Sequence, residues 1–216
     1  MAIKIMLDAG HFGKYNRSPV LSEYYESEVM WEFSVLLGER LRAFGFEVSF
    51  TRGKQEVDMP VYQRGLAAKG CDVFLSLHSN ASDAHEVDRV EVYRSVGAPH
   101  AERLGKAIGD AVAACMDVPH GAVKAREGSE RGVDYYGVLR GAHDASVPYA
   151  FIVEHSFHTN PRAAAWLYGK KNLSTLASAE AKAIAEYFGS AIRGDINRDG
   201  VVDAVDYMML KREILE

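Results

Sequence analysis

Three short apolar segments of the sequence each lead into a side chain that can bind a metal ion or carry a proton. His11 follows residues 1–7, His78 ends the segment DVFLSLH, and Glu154 ends the apolar run in FIVEH. Two imidazoles and a further carboxylate, with a fourth position left open, are typical ligands of a catalytic zinc ion. The sequence therefore predicts zinc chemistry, provided that the fold brings these segments together.

The spacing of the residues does not identify the carboxylate ligand of such a site. Glu23, Glu26 and Glu28 all lie just before the first predicted helix. The N-terminus of that helix should face the same edge of the protein as the two histidines. Each of the three acids therefore remains a candidate on spacing alone.

Glu154 has two possible roles. A carboxylate in an apolar segment is costly to bury without a partner, so it is either a paired structural acid or a functional group. In the functional case it would be the general base that takes a proton from the attacking water. A metal cluster of Glu154, His155 and His158 is a weaker alternative, because neighbouring residues of an extended chain point to opposite faces and the sequence has no HExxH motif.

The segments that carry these side chains alternate with helical patterns. Apolar or alternating residues predict five strands, at residues 1–7, 46–51, 72–78, 89–94 and 149–153. Helices are predicted over residues 29–44, 61–69, 101–116 and 173–188. This order predicts an α/β fold with a mostly parallel, twisted sheet flanked by helices, in which ligands bind beyond the carboxyl ends of the strands.

The composition narrows the class of protein. A net charge of −5 argues against a nucleic-acid partner, which usually meets a basic surface. No apolar run approaches the ~20 residues of a membrane span, and the start MAIKIMLDAGH does not have the pattern of a signal peptide. Cys71 and Cys115 are too few for a disulfide framework and are predicted to be buried thiols.

Four segments of the chain, taken in order, resemble a known family of enzymes. LDAGH, ESEVMWEFSVLLGERLRAFGFEVSFTR, VYQRGLAAKGCDVFLSLHSNAS and FIVEHSFHTN are similar to motifs of the zinc-dependent N-acetylmuramoyl-L-alanine amidases of the amidase-3 type. The resemblance spans about Ile3 to Phe188. It implies a phosphorylase/hydrolase-like amidase fold and a peptidoglycan hydrolase of the autolysin or endolysin type, which cleaves the amide between N-acetylmuramic acid and L-alanine of the stem peptide.

The resemblance also implies roles for four residues. The family holds zinc through a histidine of a D-P-G-H-like motif, a glutamate before the first helix and a histidine of an S-x-H-x-N-like motif. His11, Glu26 and His78 match these positions, with Glu26 identified by its register to LRAFGFEV. Glu154 matches the catalytic glutamate of the V-E-x-x-F-x-x-N motif. Zn²⁺ is therefore the implied catalytic cofactor.

The sequence departs from the family pattern on both sides of the first histidine, His11. Ala9 replaces the usual proline and Phe12 replaces the usual glycine, and neither change removes a ligand. Phe12 is expected to narrow or line the substrate cleft. Arg64 matches a frequent arginine of the family and is interpreted as structural. The charged loop KAREGSER, at residues 124–131, is either a mobile substrate-facing segment or a solvated loop.

The C-terminal segment GDINRDGVVDAVD has the spacing of a calcium-binding loop. An EF-hand-like loop needs oxygen ligands at positions 1, 3, 5, 7, 9 and 12 and a glycine at position 6. Gly200 fits position 6, and the ligand positions hold Asp195, Asn197, Asp199, Val201 (through its carbonyl), Asp203 and Asp206. With the helix predicted to follow, the segment resembles one repeat of a type I dockerin, in which Ca²⁺ would be structural.

Two units are therefore predicted, a zinc amidase domain at residues 1–190 and a dockerin-like calcium-binding half module at residues 191–216. Type I dockerins usually pair two repeats and attach enzymes to cohesin-bearing scaffolds outside the cell. We expect the partner to be a cohesin-type scaffold or a second dockerin-like repeat, and the cell wall to be the site of action. The alternatives to an amidase are a non-catalytic peptidoglycan-binding module and a metallopeptidase that cuts within the stem peptide.

Overall fold

A five-stranded sheet lies at the centre of the fold in the computed structural model of this protein, which describes residues 2–190, 194–196 and 202–215. The strands are Lys4–Ala9 (β1), Glu47–Phe50 (β2), Val73–Asn80 (β3), Glu91–Arg94 (β4) and Tyr149–Phe157 (β5). Their order is β2-β1-β3-β5-β4, with β4 antiparallel to β5 and the other neighbours parallel. The predicted α/β fold with a mostly parallel sheet is confirmed.

Helices flank this sheet on both sides. They are Glu26–Ala43 (α1), Val61–Leu66 (α2), Glu102–Met116 (α3), Gly137–Asp144 (α4), Pro161–Tyr168 (α5) and Lys170–Phe188 (α6), and Ala204–Leu215 (α7) follows in the C-terminal segment. Apolar spacing does not predict α4 and α5, which have eight residues each. A local signal for α5 is nevertheless present, since Asn160 caps its N-terminus and proline follows at the first helical position.

Alternate residues of the central strands supply two separate hydrophobic cores. In β3, Leu75 and Leu77 face the larger core, which α1, α3 and α6 complete. Phe74 faces the smaller core on the other side of the sheet, where α4 packs. Because side chains alternate along a strand, Ser76 and His78 continue the series of Phe74 and face the same side.

Two strands extend further than the apolar pattern predicts. β3 continues through Asn80 and β5 continues through Phe157. His78 and Glu154 therefore lie inside strands rather than after them, and they are partners in the parallel ladder between β3 and β5. This pairing places the two side chains on one face at the carboxyl end of the sheet.

The cysteines and the helices bear on two expectations drawn from the composition. Cys71 and Cys115 are free, but both are partly exposed, so the prediction that they are buried is wrong. Within the described ranges, no helix has the length and hydrophobicity to cross a membrane.

Two glycines allow α2 and α4 to cross at a short distance. A Cβ atom placed on Gly65 would lie 1.9 Å from the carbonyl oxygen of Val138, and one placed on Gly141 would lie 2.1 Å from that of Tyr62. Any side chain at either position would force the helices apart. The crossing also fixes Arg64, which precedes Gly65 and contacts the site described below.

We expect Gly141→Ala to destabilise the protein, although alanine is the better helix former by about 1 kcal/mol. The overlap with α2 should lower the free energy of unfolding by about 1–3 kcal/mol. Urea unfolding followed by circular dichroism measures this change. Gly121→Ala is the matched control, because a Cβ atom there meets nothing within 4 Å. Equal stability of Gly141→Ala and the wild type would contradict the close crossing.

Candidate active site

Three side chains converge at the carboxyl end of the sheet. Glu26 Oε1 lies 2.9 Å from His78 Nδ1, and Glu26 Oε2 lies 3.2 Å from His11 Nε2. One nitrogen or oxygen atom of each residue lies within 4.8 Å of the others, and the described part of the chain contains no second group of histidine, cysteine or acidic side chains of this kind. His11 follows β1, Glu26 begins α1 and His78 lies in β3, so three separate elements build the cluster.

A glycine and an arginine hold His11 in a left-handed backbone conformation. His11 has a φ of 57°, which costs a non-glycine residue on the order of 1 kcal/mol or more. The N–H of Gly10 donates to the Leu77 carbonyl at 2.8 Å, and a Cβ atom on Gly10 would lie 2.6 Å from the His78 ring. The Arg64 guanidinium donates to the His11 carbonyl at 3.3 Å. Arg64 therefore holds the loop that carries His11, in line with its interpretation as structural.

Glu26 is the acid that the fold brings into the cluster. It is 1% exposed, whereas Glu23 is exposed and Glu28 is half-buried. Its Oε2 accepts a hydrogen bond from Asn16 Nδ2 at 2.6 Å, and its Oε1 accepts one from the Ser79 N–H at 3.1 Å. Burial would raise the pKa of Glu26, but the hydrogen bonds and charges of the two imidazoles outweigh burial and lower it. The first turn of α1 also favours a negative charge.

His78 is held at both ring nitrogens. Nδ1 faces Glu26, and Nε2 lies 3.1 Å from Ser76 Oγ, which donates its own hydrogen to Asp8 Oδ2 at 2.8 Å. Since that hydrogen points to Asp8, the Ser76 oxygen accepts from Nε2, and Nδ1 is directed into the cluster. Burial would lower the pKa of His78, but the hydrogen bond to Glu26 and its charge raise it to about 9.

Glu154 lies one strand further across the sheet from His78. Its Oε2 is buried and, among the residues that the structure describes, has no hydrogen-bond partner. Burial raises the pKa of Glu154 to about 7, with the charge of His78 acting against this change and that of Glu26 adding to it. A carboxyl group in this environment can take up and release a proton near neutral pH.

Comparison with known proteins now identifies the family. The model of the N-acetylmuramoyl-L-alanine amidases matches residues 5–186, which is most of the chain. The chain belongs to this amidase family. Hydrolysis of the N-acetylmuramoyl-L-alanine amide of peptidoglycan is the function that follows from membership. Residues 193–216 match the model of the type I dockerin domain, so a dockerin segment follows the amidase. No curated protein sequence matches the chain significantly.

Solved amidase structures share the fold. The N-acetylmuramoyl-L-alanine amidase from Clostridium difficile 630 has a TM-score of 0.74 and 20% identity, over 87% of this chain and 97% of that one. AmiC2 of Nostoc punctiforme has a TM-score of 0.71 and 23% identity, over 87% and 97% of the two chains. Cwp6 from Clostridium difficile has a TM-score of 0.75 and 22% identity, over 86% of this amidase but 29% of Cwp6.

A second carboxylate, which the sequence does not single out, lies beside Glu154 in the amidase. Glu91 is the partner of Glu154 in the antiparallel ladder between β4 and β5. It accepts hydrogen bonds from Arg89 Nε at 2.8 Å and from the Tyr93 hydroxyl at 2.8 Å, and Lys124 Nζ lies 2.9 Å away. Burial would raise the pKa of Glu91, but these donors outweigh it and lower the pKa. The ionised form of Glu91 is therefore favoured, whereas Glu154 can gain or lose a proton near neutral pH.

The weaker alternative, a metal cluster of Glu154, His155 and His158, does not form. His155 is fully buried, and its Nε2 lies 2.9 Å from Glu180 Oε2. His158 Nδ1 lies 2.9 Å from the Ser79 carbonyl, to which it donates. Both histidines thus have structural partners away from Glu154.

Aromatic side chains cover the outer side of His11. Tyr15 stacks on the His11 ring with the ring centroids 4.9 Å apart, and Phe12 lies next to Tyr15 at 6.4 Å. Phe12 is therefore part of the rim of the site, where a residue that lines the cleft is expected. Tyr15 belongs to the same rim and is not predicted from the sequence.

The structure describes only part of the predicted calcium loop in the dockerin segment. Asn197, Asp199 and Val201 lie outside the described residues. Asp206 accepts hydrogen bonds from the Ile196 N–H at 2.6 Å and the Asp203 N–H at 2.8 Å. These bonds connect the two described ends of the loop, while the binding of calcium stays a prediction.

We expect that any Zn²⁺ held by His11, Glu26 and His78 would bind more tightly as the pH rises. A His78 side chain with a pKa of about 9 carries a proton at neutral pH, and a metal ion must displace it. Each pH unit below this value should weaken binding by about tenfold, since metal binding releases the proton. Calorimetric titrations at several pH values, in buffers of different ionisation enthalpy, measure the affinity and the protons released. An affinity that does not change between pH 6.5 and 8.5 would contradict the prediction.

Proposed function

We propose that the amidase is zinc-dependent, with His11, Glu26 and His78 as the ligands and Glu154 as the catalytic residue. The observation that carries this proposal is the meeting of three donor side chains beside a buried carboxylate oxygen, which lacks a partner among the described residues. The bond cleaved is the amide between the lactyl group of N-acetylmuramic acid and L-alanine of the stem peptide.

The chemistry of the donor set fits zinc. Two imidazole nitrogens and one carboxylate oxygen are a common ligand set in catalytic zinc sites that keep an open position. His78 also has the support typical of a metal-binding histidine, because its other ring nitrogen donates to Ser76. A zinc ion held by these residues would supply Lewis acidity toward the scissile carbonyl.

The protein's own contribution to bond cleavage centres on Glu154. Its Oε2 takes a proton from the attacking water and passes that proton to the nitrogen of L-alanine as the C–N bond breaks. A pKa of about 7 suits both halves of this exchange, because the group can be ionised before the attack and protonated after it. The products are a muramoyl carboxylate and a peptide with a free amino terminus.

Two other functions are distinguishable from amidase activity. A non-catalytic peptidoglycan-binding module has no use for Glu154, and an unpartnered buried carboxylate oxygen destabilises a fold. This favours an enzyme. A metallopeptidase acting within the stem peptide could use the same residues, so its products decide the question. Mass analysis of digested peptidoglycan should show free L-alanine amino groups and an uncut stem peptide.

We expect Glu154→Gln to abolish hydrolysis while zinc stays bound. The amide has the size of the carboxylate but cannot accept the proton, so turnover should fall by about 10²–10⁴-fold. Loss of turbidity of purified peptidoglycan measures the rate, and elemental analysis measures the zinc. Glu186→Gln, at an exposed position, is the control.

His78→Ala separates the metal site from the proton-transfer step. This variant should lose zinc and activity together, whereas Glu154→Gln should lose activity alone. Near wild-type lysis by Glu154→Gln would refute its catalytic role. Stoichiometric zinc in His78→Ala would refute the ligand set.

For the dockerin segment we propose calcium binding through Asp195, Asn197, Asp199, the Val201 carbonyl, Asp203 and Asp206. The hydrogen bonds of Asp206 to both described ends of the loop support a closed loop of the EF-hand type. Through this segment the amidase would attach to a cohesin-type scaffold or a second dockerin-like repeat. A cohesin-type scaffold and the peptidoglycan substrate both support action at the cell wall, outside the cell.

We expect Asp195→Ala to weaken calcium binding by the full chain without changing the rate of the zinc-loaded amidase. The substitution removes the first oxygen ligand of the loop, and affinity depends on the number of charged ligands. Calorimetric titration with Ca²⁺ measures the affinity. Asp83→Ala, an exposed acid in the amidase, controls for the change in net charge. Equal affinity of the two variants would exclude Asp195 as a ligand.

A further inference from the structure

Two cations share one buried carboxylate at the β4 end of the active site. Glu91 Oε1 lies 2.7 Å from Arg89 Nη2 and 2.9 Å from Lys124 Nζ. Glu91 is 5% exposed, whereas the Arg89 and Lys124 side chains are 47% and 46% exposed. The pair carries one positive charge more than Glu91 alone can offset, and both cationic side chains reach solvent.

The positions of both cations are fixed by the surrounding structure. Lys124 lies in the segment beside the outer edge of β4, where its N–H donates to the Val92 carbonyl at 2.8 Å and its carbonyl accepts from the Arg94 N–H at 2.9 Å. Its ammonium group lies 5.4 Å from the Tyr93 ring centroid. The backbone of Lys124, the first residue of the charged loop 124–131, is therefore hydrogen-bonded to β4. These bonds fix the direction in which its side chain leaves the backbone.

Arg89 is held in a similar way on the other side of Glu91. Its guanidinium lies 5.1 Å from the ring centroid of Phe157, at the end of β5. Its Nε and Nη2 contact the single oxygen Oε1 of Glu91. Because a guanidinium has five N–H donors, Arg89 keeps donors for a second carboxylate.

The cation pair lies on one particular side of the proposed catalytic residue. His78, Glu154 and Glu91 are successive partners across β3, β5 and β4, so Glu154 stands between the proposed metal site and the pair. The inference rests on the proposed function, in which Glu154 gives its proton to the leaving amine. The peptide released in this step begins at Glu154, and the neighbour of Glu154 on the side away from the metal site is Glu91 with its two cations.

We propose that Arg89 and Lys124 form a subsite that binds a carboxylate of the stem peptide on the amine side of the scissile bond. The chemistry matches, because a guanidinium and an ammonium group together favour an anionic ligand, and charge-assisted hydrogen bonds are stronger than neutral ones. Glu91 acts as a positioning residue, because it orients both cations while its single charge offsets only one of theirs. The subsite makes the enzyme select acidic stem peptides.

Two synthetic substrates test this selection. Both are N-acetylmuramoyl dipeptides that begin with L-alanine, one with glutamate and a free C-terminus, the other with glutamine and a C-terminal amide. The wild-type, zinc-loaded full chain should show a kcat/KM at least about tenfold higher for the acidic substrate, the size expected for one hydrogen bond to a charged group. The double variant Arg89→Gln, Lys124→Gln should bring this ratio close to one.

Control variants separate selection from structural damage. Lys171→Gln removes an exposed cation far along the chain in α6 and should keep the full ratio. Arg89→Lys preserves the charge and should keep part of it. A merely structural role for the pair predicts that its removal slows both substrates equally. An unchanged ratio in the double variant would therefore overturn the proposal, and so would a wild-type ratio of one.

Binding measurements test the carboxylate subsite separately from the proposed catalytic mechanism. Titration of zinc-loaded Glu154→Gln with each dipeptide should show tighter binding of the acidic one, and this preference should vanish when Arg89 and Lys124 are also replaced. If the wild type cleaves neither dipeptide, the proposed amidase mechanism fails, while the binding preference still decides on the subsite. Equal binding of both dipeptides would refute the subsite even in an active amidase.

Discussion

The buried carboxylate of Glu26 is the interaction on which the rest of the active site depends. It is 1% exposed and lies within hydrogen-bond distance of two imidazoles and a backbone N–H. Losing one partner of such a buried charged cluster is strongly destabilising, because the remaining charges lose their compensation. Since Glu26 begins α1 while His11 follows β1 and His78 lies in β3, the cluster fixes the helix against the two central strands. The groups that balance each other's charge are the ones proposed to hold zinc.

The place of this cluster follows from the order of the strands. From the carboxyl end of β1 the chain leaves toward β2 on one side, and from the carboxyl end of β3 it leaves toward β4 and β5 on the other. The connections thus diverge between the carboxyl ends of β1 and β3, and such a switch point is where α/β sheets bind ligands. His11 and His78 flank it, and Glu154 and Glu91 extend the row over β5 and β4. These side chains lie at the carboxyl end of the sheet, so both faces of the sheet remain available for hydrophobic packing.

Hydrophobic periodicity predicted the strands and the long helices, because burial dictates residue type at regular intervals. It does not predict the ends of β3 and β5, because the backbone hydrogen bonds between these strands continue through positions that hold polar residues such as His78. Both histidines and Glu154 could be found because each follows or ends an apolar run. Only the family resemblance identifies Glu26, rather than Glu23 or Glu28, as the carboxylate ligand. In the structure Glu26 differs from these two acids because it alone is buried. The roles of Asn16 and Glu91 could not be predicted from the sequence, because their contacts join segments that are far apart in the chain.

Two adjacent carboxylates show how the environment gives one residue type opposite roles. Glu91 and Glu154 are partners in the same ladder, but Arg89, Tyr93 and Lys124 all donate to Glu91. These donors lower the pKa of Glu91 and favour its ionised form, which can orient cations. Glu154 Oε2 is buried without such donors in the described structure, so its charge can change during a reaction. Environments that push two such pKa values apart separate a proton carrier from a fixed anion. The two strand partners of Glu154 differ in the same way, because His78 on β3 belongs to the proposed metal site and Glu91 on β4 contacts the exposed cations Arg89 and Lys124.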